Sequence, residues 1–275
     1  MPSSFAADPD ERLTTEWDRD VASNDTLVRA YADAFAEMIE TQARAVGGRV
    51  LREDGMLLAD AGSPGAYLNG GVLLAPLAEH AAGDVVARMN EFFASAAGGP
   101  WMLFSATPTP DLGSFGLQPV GHPPLMFRPA GGDRRSPPDG LEIVEVTDSD
   151  TLRVLEHTLI EAYPMPELRD VGAGAFLPDA LLDDDRFRLY LGLADGEPVA
   201  TSMAHLGTSM SHVEWVSSSR AVRGRGFGEA ITWSATLALP DQPSMLISSD
   251  DGRRTYDRMG YLALTRFTLW IGSRD

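Results

Sequence analysis

The segment Val213-Glu-Trp-Val-Ser-Ser-Ser-Arg-Ala-Val-Arg-Gly-Arg-Gly-Phe-Gly228 decides the predicted fold, because it joins a strand to a helix through a turn rich in glycine and arginine. Its three glycines let backbone N–H groups approach an anion closely, and the positive end of the next helix dipole lies at the same point. Arg223 and Arg225 can add charge-assisted contacts. The segment therefore predicts a phosphate-binding turn for a cofactor that carries a nucleotide.

This turn differs from two common phosphate-binding motifs. Its sixth position, counted from Gly224, is Glu229, where a Rossmann fingerprint has glycine or alanine. A Walker motif needs a lysine, and all 22 basic side chains of this chain are arginine. The absence of lysine also excludes a pyridoxal phosphate Schiff base, and the absence of cysteine excludes disulfides, thiolate zinc sites and cysteine nucleophiles.

The charge balance indicates which partners the chain favours. A formal net charge of −18 opposes binding to nucleic acid and to anionic membranes, because both need a cationic protein surface. A cationic small substrate is compatible with it. The chain has no apolar stretch of about 18 residues, and its acidic start does not resemble a signal peptide, so we expect a cytoplasmic protein.

Two further enzyme classes find no support. The five histidines lack the spacing of zinc ligands such as H-E-x-x-H, so no metal is implied. No G-x-S-x-G sequence is present, which argues against a serine hydrolase of that type.

Periodicity and turn residues predict a mixed α/β chain with two domains. We expect a mobile acidic tail at 1–20, a first domain at 21–128, a proline- and glycine-rich linker at 129–140 and a second domain at 141–275. The first helix is predicted from Asp25 to Val46, with Ser23 or Asn24 as its N-cap. A faint repeat relates the segment that begins at Gly116 to the one that begins at Gly260 and indicates two related halves.

Two segments, Val213–Gly228 and Thr255–Tyr261, resemble motifs of the GNAT family of acyl-CoA-dependent N-acyltransferases. The resemblance covers roughly residues 141–272. That family has an R/Q-x-x-G-x-G/A motif, which is met here by Arg223, Gly226 and Gly228. It also has a tyrosine in a helix that ends in Met/Leu-Gly-Phe/Tyr. Both motifs occur here in the family's order.

The resemblance implies a GNAT-type mixed sheet in the second half and acetyl-CoA as co-substrate. The pyrophosphate would lie on the backbone of Gly224–Glu229, and the pantetheine arm would follow Val216–Ser218. Ser249 stands where many relatives have an asparagine that touches the cofactor, which puts that contact in doubt. The implied cofactor residues are Val216, Ser217, Ser218, Arg223, Gly224, Arg225, Gly226, Phe227, Gly228, Glu229 and Ser249.

Three residues are candidates for the chemistry of acetyl transfer. Tyr256 matches the family's proton donor. Strand alternation puts His212 and Glu214 on the same face as Val216 and Ser218, so either residue could be the base that accepts the amine's proton. Glu214 is our first choice. His212 has the pKa nearer neutrality but is predicted at the start of the strand, where it could be exposed.

The first half lacks the R-x-x-G-x-G motif and is predicted to be a degenerate GNAT-like copy that shapes the acceptor cleft, with Tyr67–Gly71 as contributors. The alternative is a domain that only stabilises the chain or forms a homodimer. The predicted function is transfer of an acetyl group to a primary amine, in a small molecule or a peptide, by direct attack in a ternary complex. The alternative is an acyl-CoA sensor or interaction protein without catalysis.

Overall fold

The computed structural model describes residues 27–53, 55–94, 98–133, 136–163 and 165–274. The predicted tail and the predicted N-cap of the first helix lie outside these ranges. The helices are α1 (Leu27–Ala45), α2 (Ala82–Ala94), α3 (Ser149–Ala162), α4 (Phe227–Thr236) and α5 (Asp250–Arg258). The strands of the first half are β1 (Arg49–Glu53), β2 (Met56–Asp60), β3 (Asn69–Leu73), β4 (Trp101–Ser105), β5 (Gln118–Gly121) and β6 (Pro124–Arg128). Those of the second half are β7 (Glu142–Glu145), β8 (Phe187–Ala194), β9 (Glu197–Leu206), β10 (Ser211–Ser218), β11 (Ser244–Ile247), β12 (Leu262–Arg266) and β13 (Thr268–Gly272).

The strands form two mixed sheets, as the predicted α/β class requires. The first sheet has the order β1-β2-β3-β4-β13-β5, and the second has the order β12-β6-β11-β10-β9-β8-β7. Two strand pairs, β3 with β4 and β10 with β11, are parallel, and the other pairs are antiparallel. Among the described residues, no helix has both the length and the apolar character needed to cross a bilayer.

The two halves of the chain exchange one strand each. Strand β6, which precedes the predicted linker, lies between β11 and β12, and β13 from the end of the chain lies between β4 and β5. The two segments of the faint repeat correspond to β5–β6 and β12–β13. The predicted linker at 129–140 stays a prediction. Each sheet contains one strand from the half of the chain on the opposite side of this linker.

A shared core joins the two halves. On α1 the apolar side chains that recur at helical spacing are buried, including Tyr31, Phe35 and Ile39. They belong to the same cluster as Leu152 of α3 and Met203 of β9. Burial of large apolar side chains is the main favourable contribution to folding, so this cluster holds α1 against the second sheet as well as the first.

Strands β8 and β9 form a hairpin through a tight turn. Asp195 and Gly196 both have positive φ in this two-residue turn, as an Asp-Gly pair between antiparallel strands favours. Helix α4 ends at Thr236, and β12 and β13, although adjacent in the chain, belong to different sheets.

Candidate active site

Strands β10 and β11 separate after a short parallel contact. They pair only at Ser211 with Ser244 and at His212 with Met245. On its other edge β10 pairs with β9, and that register shifts between Glu214 and Ser217. The result is a splayed strand, with a gap beside the second half of β10.

Trp215 lies at the point where β10 changes register. Its φ is +52°, a left-handed conformation that costs roughly 1–3 kcal/mol for a residue other than glycine. Thr201 stabilises this backbone, because its Oγ1 donates to the Trp215 carbonyl at 2.9 Å. The Trp215 ring packs against Tyr67, Tyr163 and Phe176. A strained, well-supported residue next to a gap is typical of a functional site.

The glycine-rich turn and the start of α4 form one wall of a cavity of about 750 Å³. Gly224 and Gly226 have φ of +81° and +82°, and Gly226 is the N-cap of α4, which has no side-chain cap. The first N–H groups of a helix have no acceptor within it, so this turn offers donors and positive dipole to an anion. We call this cavity the cradle cavity; the predicted cofactor residues lining it are Val216, Ser217, Ser218, Arg223, Gly224, Gly226, Phe227, Gly228, Glu229 and Ser249.

Arg225 differs from the other predicted cofactor residues. It is not among the residues that line the cradle cavity, and its guanidinium lies over the Phe227 ring, 4.4 Å from the ring centroid. Arg223 and Arg258 supply the positive charge of the cavity, and Arg258 forms a 3.3 Å ion pair with Glu229. Of the two arginines that the sequence predicts to make charge-assisted contacts with the cofactor, only Arg223 lines the cavity.

Ser249 has a defined structural role in addition to its place in the cavity. It is the N-cap of α5, and its Oγ accepts the Gly252 N–H at 3.1 Å. An acceptor at this position stabilises the start of the helix that carries Tyr256.

Backbone geometry directs a donor into the gap. The Ser219 N–H donates to the Val199 carbonyl of β9 at 2.8 Å. Since successive N–H groups of a strand point to opposite edges, the Ser218 N–H points away from β9 and toward the gap. An N–H directed into the gap can donate to a carbonyl oxygen of a molecule bound there.

Tyr256 lines the cradle cavity and also a second cavity described below. It packs edge-on against Tyr261, whose hydroxyl is within hydrogen-bonding distance of Thr236 and Ser244, at 2.7 and 2.8 Å. Burial, followed by the nearby Tyr261, raises the pKa of Tyr256 well above its usual value. The phenol is therefore protonated at neutral pH and is able to donate.

Glu214 lies on β10 immediately before the register shift and is held by the first half of the chain. The Tyr31 hydroxyl of α1 donates to Glu214 Oε1 at 3.1 Å. Burial raises the pKa of Glu214 to about 8, and the hydrogen bond from Tyr31 partly opposes this rise. A carboxyl with a pKa near the working pH is suited to accept a proton during catalysis.

His212, the other candidate base, lies away from both cavities. Its ring stacks on Tyr31 with centroids 4.5 Å apart, its side chain is fully buried, and neither ring nitrogen has a hydrogen-bond partner among the described residues. Burial, followed by the neighbouring His205, lowers the pKa of His212 to about 3. The strand alternation that grouped His212 with Ser218 does not continue along β10, because the register shift follows Glu214.

The second cavity, which we call the inner cavity, has a volume of about 260 Å³ and lies between the two halves. It shares Tyr67, Tyr163, Val216, Ser249 and Tyr256 with the cradle cavity. Its other lining residues are Phe35, Met38, Ile39, Gln42, Met102, Phe104, Val120, Pro123, Val213, Glu214, Trp215, Ile247, Ser248 and Leu269. The first half therefore contributes α1, β4 and Tyr67 to this site.

Sequence reasoning missed several residues of this arrangement. Tyr31 and Gln42 read as part of the apolar face of α1, and no local signal separates them from core residues. Tyr163 ends α3, and its pKa is raised by burial to about 12. Of the predicted contributors at Tyr67–Gly71, Tyr67 lines the cavities, whereas Asn69 is buried and donates to backbone carbonyls at Ser63 and Pro100.

Comparison with known proteins gives structural likeness without close sequence relatives. No family model and no curated protein sequence matches the chain. A GCN5-related N-acetyltransferase from Kribbella flavida is similar in structure, with a TM-score of 0.68 and 18% identity, over 90% of this chain and 95% of that one. A conserved protein of unknown function from Staphylococcus epidermidis gives a TM-score of 0.59 and 12% identity, over 83% of this chain and 95% of that one.

A further GCN5-related N-acetyltransferase, from Sphaerobacter thermophilus, has a TM-score of 0.54 and 16% identity, over 90% of this chain and 93% of that one. At these coverages the likenesses extend over both halves of the chain. The chain therefore has the fold of the GCN5-related N-acetyltransferases along nearly its whole length.

Proposed function

We propose that this protein is an N-acetyltransferase that moves an acetyl group from acetyl-CoA to a primary amine. The observation that carries the proposal is the gap between β10 and β11, which opens directly onto the uncapped start of α4. One wall of the site can thus bind a phosphate group while the other presents backbone and side-chain groups to a reacting centre. The fold of the chain supports the same reaction class.

The cradle cavity fits the phosphate end of acetyl-CoA. A Cβ built at Gly224 meets no atom within 4 Å, and positive φ favours glycine there, so the backbone is open to a bound group. The pyrophosphate would lie on the N–H groups of Gly224–Glu229, close to Arg223. The pantetheine arm would follow Val216–Ser218, and acetyl-CoA would supply the thioester that reacts.

The residues of the gap account for the proton transfers of direct acetyl transfer. The amine nitrogen attacks the thioester carbonyl carbon, a C–N bond forms and the C–S bond breaks. Glu214 takes the proton that the amine loses, directly or through water, and the Ser218 N–H stabilises the carbonyl oxygen as it gains charge. Tyr256 gives its proton to the departing thiolate.

Thiol release from acetyl-CoA tests the proposal directly. The wild-type protein is expected to release CoA only when a primary amine is present, and acetylated amine should form in equal amount. The Tyr256→Phe variant should lose roughly 100-fold in kcat, within the usual range for a general acid, with binding of acetyl-CoA kept. Tyr190→Phe, which removes a hydroxyl from β8 outside both cavities, is the matched control.

Two results would contradict this proposal. Thiol release at an undiminished rate in Tyr256→Phe would show that Tyr256 is not the proton donor to the thiolate. If acetyl-CoA did not raise the melting temperature of the wild-type protein, its assignment as co-substrate would be wrong, because a ligand that binds the native state stabilises it by mass action.

A further inference from the structure

The inner cavity is small and mostly apolar. Its volume of about 260 Å³ lies below the range of ~300–1,000 Å³ that is usual for drug-sized ligands. Phe35, Met38 and Ile39 from α1 line one part of it, and Met102, Phe104 and Leu269 from the first sheet line an adjoining part. A polar group placed among these side chains would lose its water without gaining a hydrogen bond, which is costly.

Among the described residues that line this cavity, one side chain can offer a charge to a substrate, and it lies at one end of the cavity. Glu214 is the single carboxyl, and the single side chain able to carry charge near neutral pH, among the described residues that line the cavity. It lies beside Tyr31 and close to Tyr256, where the two cavities meet. One ammonium group can therefore be neutralised here, and a second cationic group on the same molecule would find no partner.

The far end of the cavity carries a buried polar side chain without a partner. Gln42 is 3% exposed, and its Nε2 has no hydrogen-bond partner among the described residues. It follows Tyr31 on α1 by about three turns, or about 16 Å between Cα positions along the helix axis, and the side chains at both ends span part of that distance. Buried amide groups are nearly always hydrogen-bonded in proteins, so this N–H group is available to donate to an acceptor that a ligand supplies.

We propose that the inner cavity selects an elongated primary amine with an aromatic or similarly apolar body and one uncharged polar group at the end opposite the amine. This inference rests on the proposed acetyltransferase function. The amine reaches Glu214 and the thioester, the body packs against the edge-to-face pair of Phe35 and Phe104, and the polar group bonds to Gln42. Polyamines and aminoglycosides are excluded, because their additional charges would be buried without partners.

An amine panel tests the selection. Tyramine, which has a ring hydroxyl, and phenethylamine, which lacks it, represent the proposed class; spermidine, kanamycin and a short peptide with a free amino terminus represent other classes. The kcat/KM for thiol release is expected to be highest for tyramine, lower for phenethylamine and at least 100-fold lower for spermidine and kanamycin. Calorimetry measures the binding of each amine independently of turnover.

The Gln42→Met variant tests the polar end. Methionine is similar in length and unbranched, so it fills the same space without an amide. We expect kcat/KM for tyramine to fall by ~5-fold, as for loss of one neutral hydrogen bond, with phenethylamine little affected. Gln118→Met on β5 changes an exposed glutamine outside the cavity and should leave the ratio between the two amines as it is.

The possible outcomes separate this inference from the proposed function. Acetylation of spermidine, kanamycin or the peptide at least as efficiently as tyramine overturns the inference and leaves the acetyltransferase proposal standing. A failure of tyramine and phenethylamine to bind also overturns the inference. Binding of these two amines without turnover of any amine supports the cavity assignment and contradicts the proposed function. An unchanged tyramine preference in Gln42→Met overturns the role of Gln42.

Discussion

The Tyr31 hydroxyl donates a 3.1 Å hydrogen bond to Glu214 Oε1, which joins two residues 183 positions apart in the chain. Tyr31 belongs to the first helix of the first half, and Glu214 lies on the splayed strand of the second half. This hydrogen bond favours the ionised form of Glu214, whereas burial favours the protonated form. The first half therefore influences the protonation of the candidate base in addition to lining the cavity.

Replacing Tyr31 by phenylalanine should shift the pH dependence of the reaction. Loss of the hydrogen bond removes a contribution that lowers the pKa of Glu214, so the pKa rises above its value of about 8. A base must be ionised to work, so the acidic limb of the kcat/KM profile should move up by about one pH unit. Activity near pH 7 should fall by up to about tenfold, with recovery above pH 9.

Glu214→Gln is the companion measurement for that profile, because it removes the titrating group and should abolish the limb. A limb that persists unchanged in Glu214→Gln would assign the ionisation to another group. A Tyr31→Phe profile that falls evenly at all pH values would mean that Tyr31 acts through packing alone, against His212 and Phe267.

Glu214→Gln should also stabilise the protein, and more so at high pH. Burial raises the pKa of Glu214 from 4.5 to about 8, so between these values the unfolded chain ionises while the folded chain keeps the proton. The folded state binds more protons in this window, and the glutamate's contribution to stability therefore declines as pH rises from 4.5 to 8. Glutamine does not titrate and does not incur this loss.

Thermal unfolding at two pH values checks the effect. The difference in free energy of unfolding between Glu214→Gln and wild type should be a few kcal/mol larger at pH 8.5 than at pH 5, because one unit of pKa difference corresponds to about 1.4 kcal/mol. Equal differences at both pH values would show that Glu214 has an ordinary pKa in the folded protein.

The parts of the candidate site that depend on local structure could be predicted from the sequence. The glycines of the turn need positive φ, Tyr256 is fixed by its distance from Gly260, and Glu214 follows from strand position. Short-range periodicity could not reveal the register shift at Trp215, since this depends on contacts with Tyr67 and Tyr163 that are distant in sequence. The shift separates His212 from the face of Ser218, and the Tyr31 ring, which stacks on His212 from a distant part of the chain, covers it.

The strand exchange and the inner cavity were likewise beyond prediction from one sequence. Strand β6 has the apolar composition of any buried strand, and nothing local determines which sheet it joins. Gln42 lies within an apolar helical pattern, where a single glutamine is usually interpreted as a residue at the border of the apolar face. Its importance appears only when α1 is packed against β4 and β10.

The Gly224→Ala variant tests the phosphate-binding turn. A side chain at a φ of +81° costs about 1–2 kcal/mol, and relaxation of this strain would move the backbone N–H groups of the turn. The melting temperature should fall, and the Kd for acetyl-CoA should rise about tenfold. Gly196→Ala is a matched control, because Gly196 has a φ of +82° and an equally open environment, but lies in the β8–β9 turn.

The two variants should lose similar stability and differ in cofactor binding. Calorimetric titration with acetyl-CoA and with CoA measures this difference. If Gly196→Ala weakened acetyl-CoA binding as much as Gly224→Ala did, the effect would reflect general loss of stability and the turn would lose its assigned ligand.

Separation of the two halves should prevent either from folding alone. A fragment of residues 136–275 lacks β6, so β11 and β12 lose the strand that lies between them, together with the fully buried Leu125 and Met126. A fragment of residues 1–135 lacks β13 between β4 and β5 in the same way. Each fragment exposes strand edges and apolar surface that favour aggregation.

Co-expression of the two fragments should restore a soluble complex, because all strand pairs can then form across the cut. Purification through a tag on one fragment, followed by thermal unfolding with and without acetyl-CoA, measures this assembly. The complex should melt cooperatively and gain stability from acetyl-CoA, whereas each isolated fragment should show no cooperative transition. A cooperative transition and stabilisation by acetyl-CoA in isolated 136–275 would mean that the exchanged strand β6 is dispensable, because β11 and β12 would then pair without it.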